Sequence, residues 1–339
     1  MKLRKKTLMT FLTVILLICV MGMAVAAKPY PNKNIFVYIF SSQGGGTDTW
    51  VRHLSALMER DLGVNIVCNN LPGANGGNGG MKVWNAPHDG YTVLGASETS
   101  MFFGVNDVAP TADQWNFFIA GGSPGVIAVH AKSPYQTIED LVEAARKHPN
   151  QIKISDSGRG KLWNIKAIQL GSAVGVKFQH IPYNGSGPAI TALLSREVDA
   201  VSCSAGEVIE YVRSGMLRPL VMTEVNGLDF ENFGYVKPAT DYYPSLKNGY
   251  SNLFQWLGFM MPADVPEEVV AAFGRAFEKA LQDPKTDQFV RTQSSKKMGL
   301  WGAEAKTLAL KMESVASWMS YELGLAKKTP TELGIAPLE

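Results

Sequence analysis

Apolar positions along the chain follow two alternating rhythms. Residues 35–40 (Ile35, Phe36, Val37, Tyr38, Ile39, Phe40) form an unbroken apolar, β-branched and aromatic run, the pattern of a strand covered on both faces. After a glycine-rich loop, Val51, Leu54 and Met58 recur at helical spacing in a segment starting at Asp48. Residues 64–67 and 91–94 predict two further strands, the latter introduced by a turn over 87–90. A second series opens with a strand at 126–129. Its first helix is expected from Thr137, an N-cap with Asp140 three residues on, carrying Ile138, Leu141, Val142 and Ala145 inward. Strands at 152–155, 177–181, 200–202 and 218–221 then alternate with helices at 161–173, 189–195 and 207–214. A polar, Pro- and Gly-punctuated stretch over 226–252 precedes a strand at 255–260 and helices at 266–282, 284–294 and 303–323. Two similar strand–loop–helix blocks indicate an α/β fold with two mixed, largely parallel sheets flanked by helices.

Composition narrows the class. The chain has 339 residues, 46% of them hydrophobic and 10% aromatic, which excludes a disordered or low-complexity protein. The formal net charge of +2 is set by one end: Lys2, Arg4, Lys5 and Lys6 precede the first acid, Asp48. Without those four, 28 basic residues face 30 acidic ones, and no charge bias toward nucleic acid or anionic membrane remains. The basic start, an apolar stretch through Leu12–Ile18 and the small residues Ala24, Val25 and Ala26 read as an export signal over 1–26, cleaved near Ala26. A retained anchor over 8–27 is the alternative reading. A lipid anchor at Cys19 is disfavoured by the bulk of Ile18. The expected location is the periplasm. Cys68 and Cys203 are expected as free, mostly buried thiols, and the five histidines stand singly, so neither metal nor cofactor is expected.

Chemistry concentrates in glycine loops between strands and helices. Ser41-Ser-Gln-Gly-Gly-Gly-Thr-Asp48 follows a strand and opens a helix, where free N–H groups and the helix dipole favour an anion. It is neither a Walker loop nor a dinucleotide fingerprint, and a tight turn capped by Thr47 or Asp48 accounts for it equally well. A second cluster runs over 70–80 and, taken alone, reads as a flexible loop. Loops at 155–161 and 182–188 again sit between strand and helix, and Pro188 fits a first helical position that leaves the Gly185, Ser186 and Gly187 amides open. Ligands of open α/β sheets sit at the carboxyl ends of strands, where all of these loops are expected.

From Lys28 onward the chain resembles the Bug-type extracytoplasmic solute receptors of tripartite tricarboxylate transporters. The resemblance rests on Tyr30-Pro31, Gly44-Gly-Gly-Thr-Asp48, Asn70-x-Pro-Gly-Ala-x-Gly-x-x-Gly79, Asp89-Gly-Tyr-Thr-x-Leu94, Pro182-Tyr-x-Gly-x-x-Pro188, and Val198-Asp199 ahead of Gly215-x-Leu-Arg218. It implies a monomeric two-domain flytrap, with domain one over 28–125 plus 254–339 and domain two over 126–253. It also implies a small carboxylate held in the cleft and delivered to membrane transporter subunits. Carried over by motif, the ligand would meet Gly45, Gly46, Thr47 and Asp48, then Ser97 and Thr99, from domain one. Domain two would add Ser157, Gly158 and Gly160, then Tyr183, Gly185 and Ser186. Asp48 is read equally as a helix cap.

Three departures bear on the ligand. Ser41, Ser42 and Gln43 make the rim before the triple glycine polar, where relatives often carry an aromatic residue and prolines. Arg159, Lys161 and Trp163 replace small residues and a histidine, offering a carboxylate partner and a stacking surface, or else solvated cations and an inward-packed ring. Cys203 and Ser204 stand where many relatives have an acid suited to an ammonium, which argues against an amino-acid ligand. Two rival readings remain: a co-receptor for a signalling partner, and an exported serine hydrolase using Ser123 of Gly121-Gly-Ser-Pro-Gly125. The second places its serine before an expected strand, where a nucleophile elbow needs a helix.

Overall fold

Residues 29–247, 250 and 253–337 are described by a computed structural model; the expected export signal and its cleavage site lie outside them. Two sheets organise the chain. In the first, β1 (Ile35–Ile39) pairs in parallel with β2 (Ile66–Asn70) and β3 (Thr92–Ser97). β4 (Trp115–Gly122), β12 (Leu257–Pro262) and β13 (Lys296–Trp301) complete the order β13-β4-β12-β3-β1-β2 through antiparallel pairs. The second sheet comprises β5 (Gly125–His130), β6 (Lys153–Asp156), β7 (Gln179–Pro182), β8 (Ala200–Ser204) and β9 (Leu217–Met222), ordered β7-β6-β8-β5-β9. Here β6 is parallel to β7 and β8, whereas β5 runs antiparallel to β8 and β9. A small hairpin joins β10 (Leu228–Phe230) to β11 (Gly234–Val236) inside the polar stretch.

Parallel pairs arise where a helix intervenes. α1 (Gly46–Leu62) links β1 to β2, α2 (Gly77–Trp84) links β2 to β3, and α4 (Leu162–Ala173) links β6 to β7. The helix before β6 is α3 (Ile138–Lys147), begun by a capping box between Thr137 and Asp140. α5 (Ser186–Leu194), α6 (Ala205–Arg213) and the short α7 (Ala239–Tyr242) follow, then α8 (Glu267–Gln282), α9 (Pro284–Thr292) and α10 (Ala303–Glu322). The antiparallel strands carry the chain between the sheets. β4 and β5 lie in different sheets, separated only by Ser123 and Pro124, and the chain returns after β9 to form β12.

α1 and α8 cover one face of the first sheet, burying Trp50, Val51, Leu54, Phe273 and Phe277 against Ile35, Val37 and Phe259. α2 and α10 cover the other, and Leu162, Trp163 and Ile165 of α4 join that same core. The second sheet thereby contributes a helix end to the core of the first. The expected glycine loop at 70–80 is in part α2. A Cβ at Gly79 would stand 2.8 Å from the Phe40 Cβ and 3.1 Å from its Cα, so glycine is needed for the helix to lie against the end of β1. β4 and β13 were not foreseen. β13 reads Lys-Lys-Met-Gly-Leu-Trp and is largely solvated, as an edge strand is, with no period-two pattern to find. Cys68 on β2 and Cys203 on β8 belong to different sheets and are unpaired.

Candidate functional site: a cleft between the two sheets

Helix starts from both halves of the chain converge on one small cavity. α1 contributes Gly45, Gly46 and Thr47, the end of β3 contributes Ser97, Glu98 and Thr99, and β6–α4 contributes Ser157, Lys161 and Trp163. The start of α5 adds Gly185, Ser186 and Gly187, and α6 adds Glu207. Its volume is about 40 Å³, space for about three waters. An outer cavity of about 190 Å³ shares Phe40, Ser41, Lys161 and Gly185 with it and adds Gly73, Asn75, Gly158, Arg159, Tyr183 and Asn184.

The glycine loop is satisfied partly from within and partly from across the cleft. The Gly44 amide donates to Asp48 Oδ2 at 2.9 Å and the Gly45 amide to the Ser42 carbonyl at 3.3 Å. The Gly46 amide donates to Glu207 Oε1, across the cleft, at 2.9 Å. Among the described residues the Thr47 amide has no partner, nor do the Ser186 and Gly187 amides at the start of α5, as is normal for the first turn of a helix. Further bonds tie the lobes together. Ser42 Oγ donates to the Asn184 carbonyl. Asn75 Nδ2 donates to the Arg159 carbonyl at 3.2 Å, and the Gly206 amide donates to Ser123 Oγ at 2.8 Å. Gly185 has φ of +120°, open to glycine and strained for other residues, and a Cβ there would meet Ser42 Oγ at 3.3 Å.

Three charged side chains line the inner cavity: Glu98, Lys161 and Glu207. Glu98 is only 4% exposed, and its Oε2 has no hydrogen-bond partner among the described residues. Burial first, then its own backbone, the Ser97 hydroxyl, Glu207 and Lys161, leave the Glu98 carboxyl pushed up to about 8. Burial also lowers the Lys161 ammonium, against the pull of Glu98 and Asp156. Glu207 is braced from its other side, Oε2 accepting from the Ser204 hydroxyl at 2.8 Å and the Ser204 amide at 3.3 Å in a capping box.

This architecture coincides with a known group of proteins. Residues 50–317 match the family model described as tripartite tricarboxylate transporter family receptor. The chain belongs to this family. The protein BugT of Bordetella pertussis is 26% identical over 267 residues, which cover 76% of this chain and 79% of that one. The structure of the periplasmic binding protein BugD superposes with a TM-score of 0.76 at 21% identity, covering 91% of this chain and all of the other (100%). MatC from Rhodopseudomonas palustris, solved with bound malate, superposes at 0.73 with 19% identity, over 86% of this chain and 99% of that one. The receptor fold is thus that of periplasmic binding proteins: two α/β domains facing one cleft.

Within that cleft the residues singled out from sequence divide into three groups. Gly45, Gly46, Thr47, Ser42, Ser97, Thr99, Ser157, Lys161, Trp163, Gly185 and Ser186 line the inner cavity. Gly158, Arg159 and Tyr183 line the outer one. Gly160 gives its amide to Asn164 Oδ1 at 2.9 Å, and Cys203 is fully buried in the core of the second sheet. Asp48 lies behind the loop, where it accepts from Gly44, Arg52 and Asn70 and so holds the glycines in shape. Trp163 is 2% exposed and packs into the shared core, with one edge on the cavity. Ser123, the serine of the Gly121–Gly125 motif, occupies the strand-to-strand crossing.

Sequence reasoning missed Glu98, Glu207 and Gln255. Glu98 sits between two residues that were singled out, and Glu207 is the third position of a Ser-x-x-Glu capping signal that could have marked it. Gln255 gave no signal; its Oε1 accepts from the Ser123 amide at 3.0 Å and ties the two crossings together. Cys203 lies in the core of the second sheet and Ser204 caps α6, while Glu98 and Glu207 line the inner cavity.

Proposed function

We propose that this chain is a periplasmic solute receptor that captures a small carboxylate between its lobes and delivers it to the membrane subunits of a tripartite tricarboxylate-type transporter. On this reading one lobe comprises 28–125 plus 254–339, the other 126–253, the export signal is removed near Ala26, and the receptor acts as a monomer. The observation that carries the reading is the convergence of helix N-termini from both sheets, with Lys161, on one cavity. Each helix start presents N–H groups and a partial positive charge, so a carboxylate bridging them stabilises the closed arrangement more than the open one. The unpartnered amides of Thr47 on one side and of Ser186 and Gly187 on the other are the donors available to it. Malate in MatC supports the ligand class.

The receptor is expected to bind without turnover. Thermal shift and calorimetry across mono-, di- and tricarboxylates test this, with the recovered ligand checked for chemical change. Stabilisation by at least one carboxylate, recovered intact, is the expected result. No response to any of them, or conversion of the ligand, contradicts the proposal.

A further inference from the structure

We propose that the protein carries a second binding site, at the two crossings between the sheets, for a small amphipathic anion: a monocarboxylate with an alkyl chain or ring as its body. This goes beyond the cleft reading and does not depend on what the cleft holds. A cavity of about 440 Å³ opens where α9 and β13, which belong with the first sheet, meet the segment that follows β9 of the second. Small-molecule sites measure roughly 300–1,000 Å³, are mostly apolar and favour junctions between domains. Ser123, Pro124, Phe254 and Gln255 of the crossings form part of its wall. Gln255 is the only residue it shares with the inner cavity of the cleft, and the Ser123 amide holds that side chain at 3.0 Å. The two cavities are therefore separate compartments.

The apolar wall draws on every hydrophobic core of the described residues. Val290 packs against the core under α1 and α8, and Phe254 and Met298 against the core under α2 and α10. Val225 and Leu228 come from the two cores of the second sheet. All five are half-buried, so each leaves apolar surface for the body of a ligand.

Charge sets the other end of the ligand. Arg291, Lys296 and Lys297 line the cavity, and Glu224 is its only acidic lining residue. Lys297 is already engaged by Asp287 at 2.5 Å and the Leu281 carbonyl at 3.0 Å. Glu224 is engaged by Lys166 at 2.6 Å and the Gly125 amide at 3.2 Å. Among the described residues, the side chains of Arg291 and Lys296 have no hydrogen-bond or ion-pair partner. Two unpaired cations thus stand beside an apolar wall. A single carboxylate satisfies them while its body lies on Phe254, Met298 and Leu228. A tricarboxylate would press charge against that wall, and a neutral apolar molecule would leave the cations unanswered. An occupant would touch segments of both sheets at once.

Calorimetry on the mature receptor with sodium octanoate as probe tests the inference. Acetate supplies the charge without the body, and 1-octanol the body without the charge. Octanoate is expected to bind roughly tenfold or more tightly than either control. Hydrogen exchange should then show peptides covering 224–228 and 290–298 slowing together. Arg291→Glu combined with Lys296→Glu changes two exposed side chains and is expected to weaken octanoate by roughly tenfold or more. No binding of octanoate, equal affinity for octanol, or an unaffected double variant overturns the second site. Protection confined to 44–50 and 184–190 assigns the probe to the cleft and also overturns it, leaving the carboxylate reading intact. Protection at 224–228 and 290–298, with no response to the di- and tricarboxylate panel, supports this site and counts against the cleft reading alone.

Discussion

The carboxylate of Glu207 on α6 accepts the amide of Gly46 at the start of α1, on the opposite lobe, at 2.9 Å. One side chain thus serves two helix N-termini, because its second oxygen caps its own helix through Ser204. On the proposed flytrap reading this bond latches the closed arrangement. A charge-assisted hydrogen bond of this kind is worth about 1.5–3 kcal/mol, roughly tenfold or more in the ratio of closed to open forms. Glu207→Ala is expected to shift the receptor toward the open form, seen as a larger radius of gyration in X-ray scattering. Ser204→Ala removes only the cap and should leave the radius unchanged. Equal radii for Glu207→Ala and the natural protein would contradict the latch.

A buried ion pair fixes the crossing region. Lys166 Nζ on α4 lies 2.6 Å from Glu224 Oε1 and donates to the Thr223 carbonyl at 2.7 Å, while the Gly125 amide donates to the same carboxylate at 3.2 Å. Removing one member leaves a buried charge unpaired, which costs about 3–5 kcal/mol. Lys166→Met is expected to lower the urea midpoint by a corresponding amount, and replacing Glu224 by Gln as well should restore part of it. A loss under 1 kcal/mol for Lys166→Met would contradict this account.

Stability should also fall as pH rises. Burial raises the carboxyls of Glu98 to about 8 and of Glu313, which accepts the Ala112 amide at 2.8 Å, to about 7. Both groups bind protons more tightly folded than unfolded, so their contribution is complete below about pH 4.5 and is lost as pH climbs through 7 to 8. The unliganded receptor should melt at a higher temperature at pH 5 than at pH 8, and Glu98→Gln should flatten that slope. A slope unaltered by Glu98→Gln would contradict it.

Packing rather than binding explains the second glycine cluster. Gly79→Ala brings its methyl within 3 Å of the Phe40 side chain, and such overpacking costs about 1–3 kcal/mol. Chemical unfolding should show that loss; a neutral substitution would mean that α2 shifts without penalty.

These predictions draw on features of unequal legibility in the sequence. The α/β alternation was plain because buried strands such as Ile35–Ile39 and amphipathic helices such as α3 obey local periodicities. β13 was not, since an exposed edge strand rich in lysine has no apolar pattern. Most of the cavity wall was foreseen through the glycine loops, whose conformation is written in residue type. Glu98, Glu207 and Gln255 were not, because their meeting depends on how one lobe folds onto the other. The relation between Gly46 and Glu207 spans 161 positions, and nothing local encodes it.

The central claim is that main-chain donors from both lobes close on one carboxylate. Hydrogen exchange followed by mass spectrometry, with and without a saturating ligand from the carboxylate panel, tests it most directly. The account predicts that peptides covering 44–50 and 184–190 slow together on binding. Protection of one segment alone, or of neither while affinity is measurable, would contradict it.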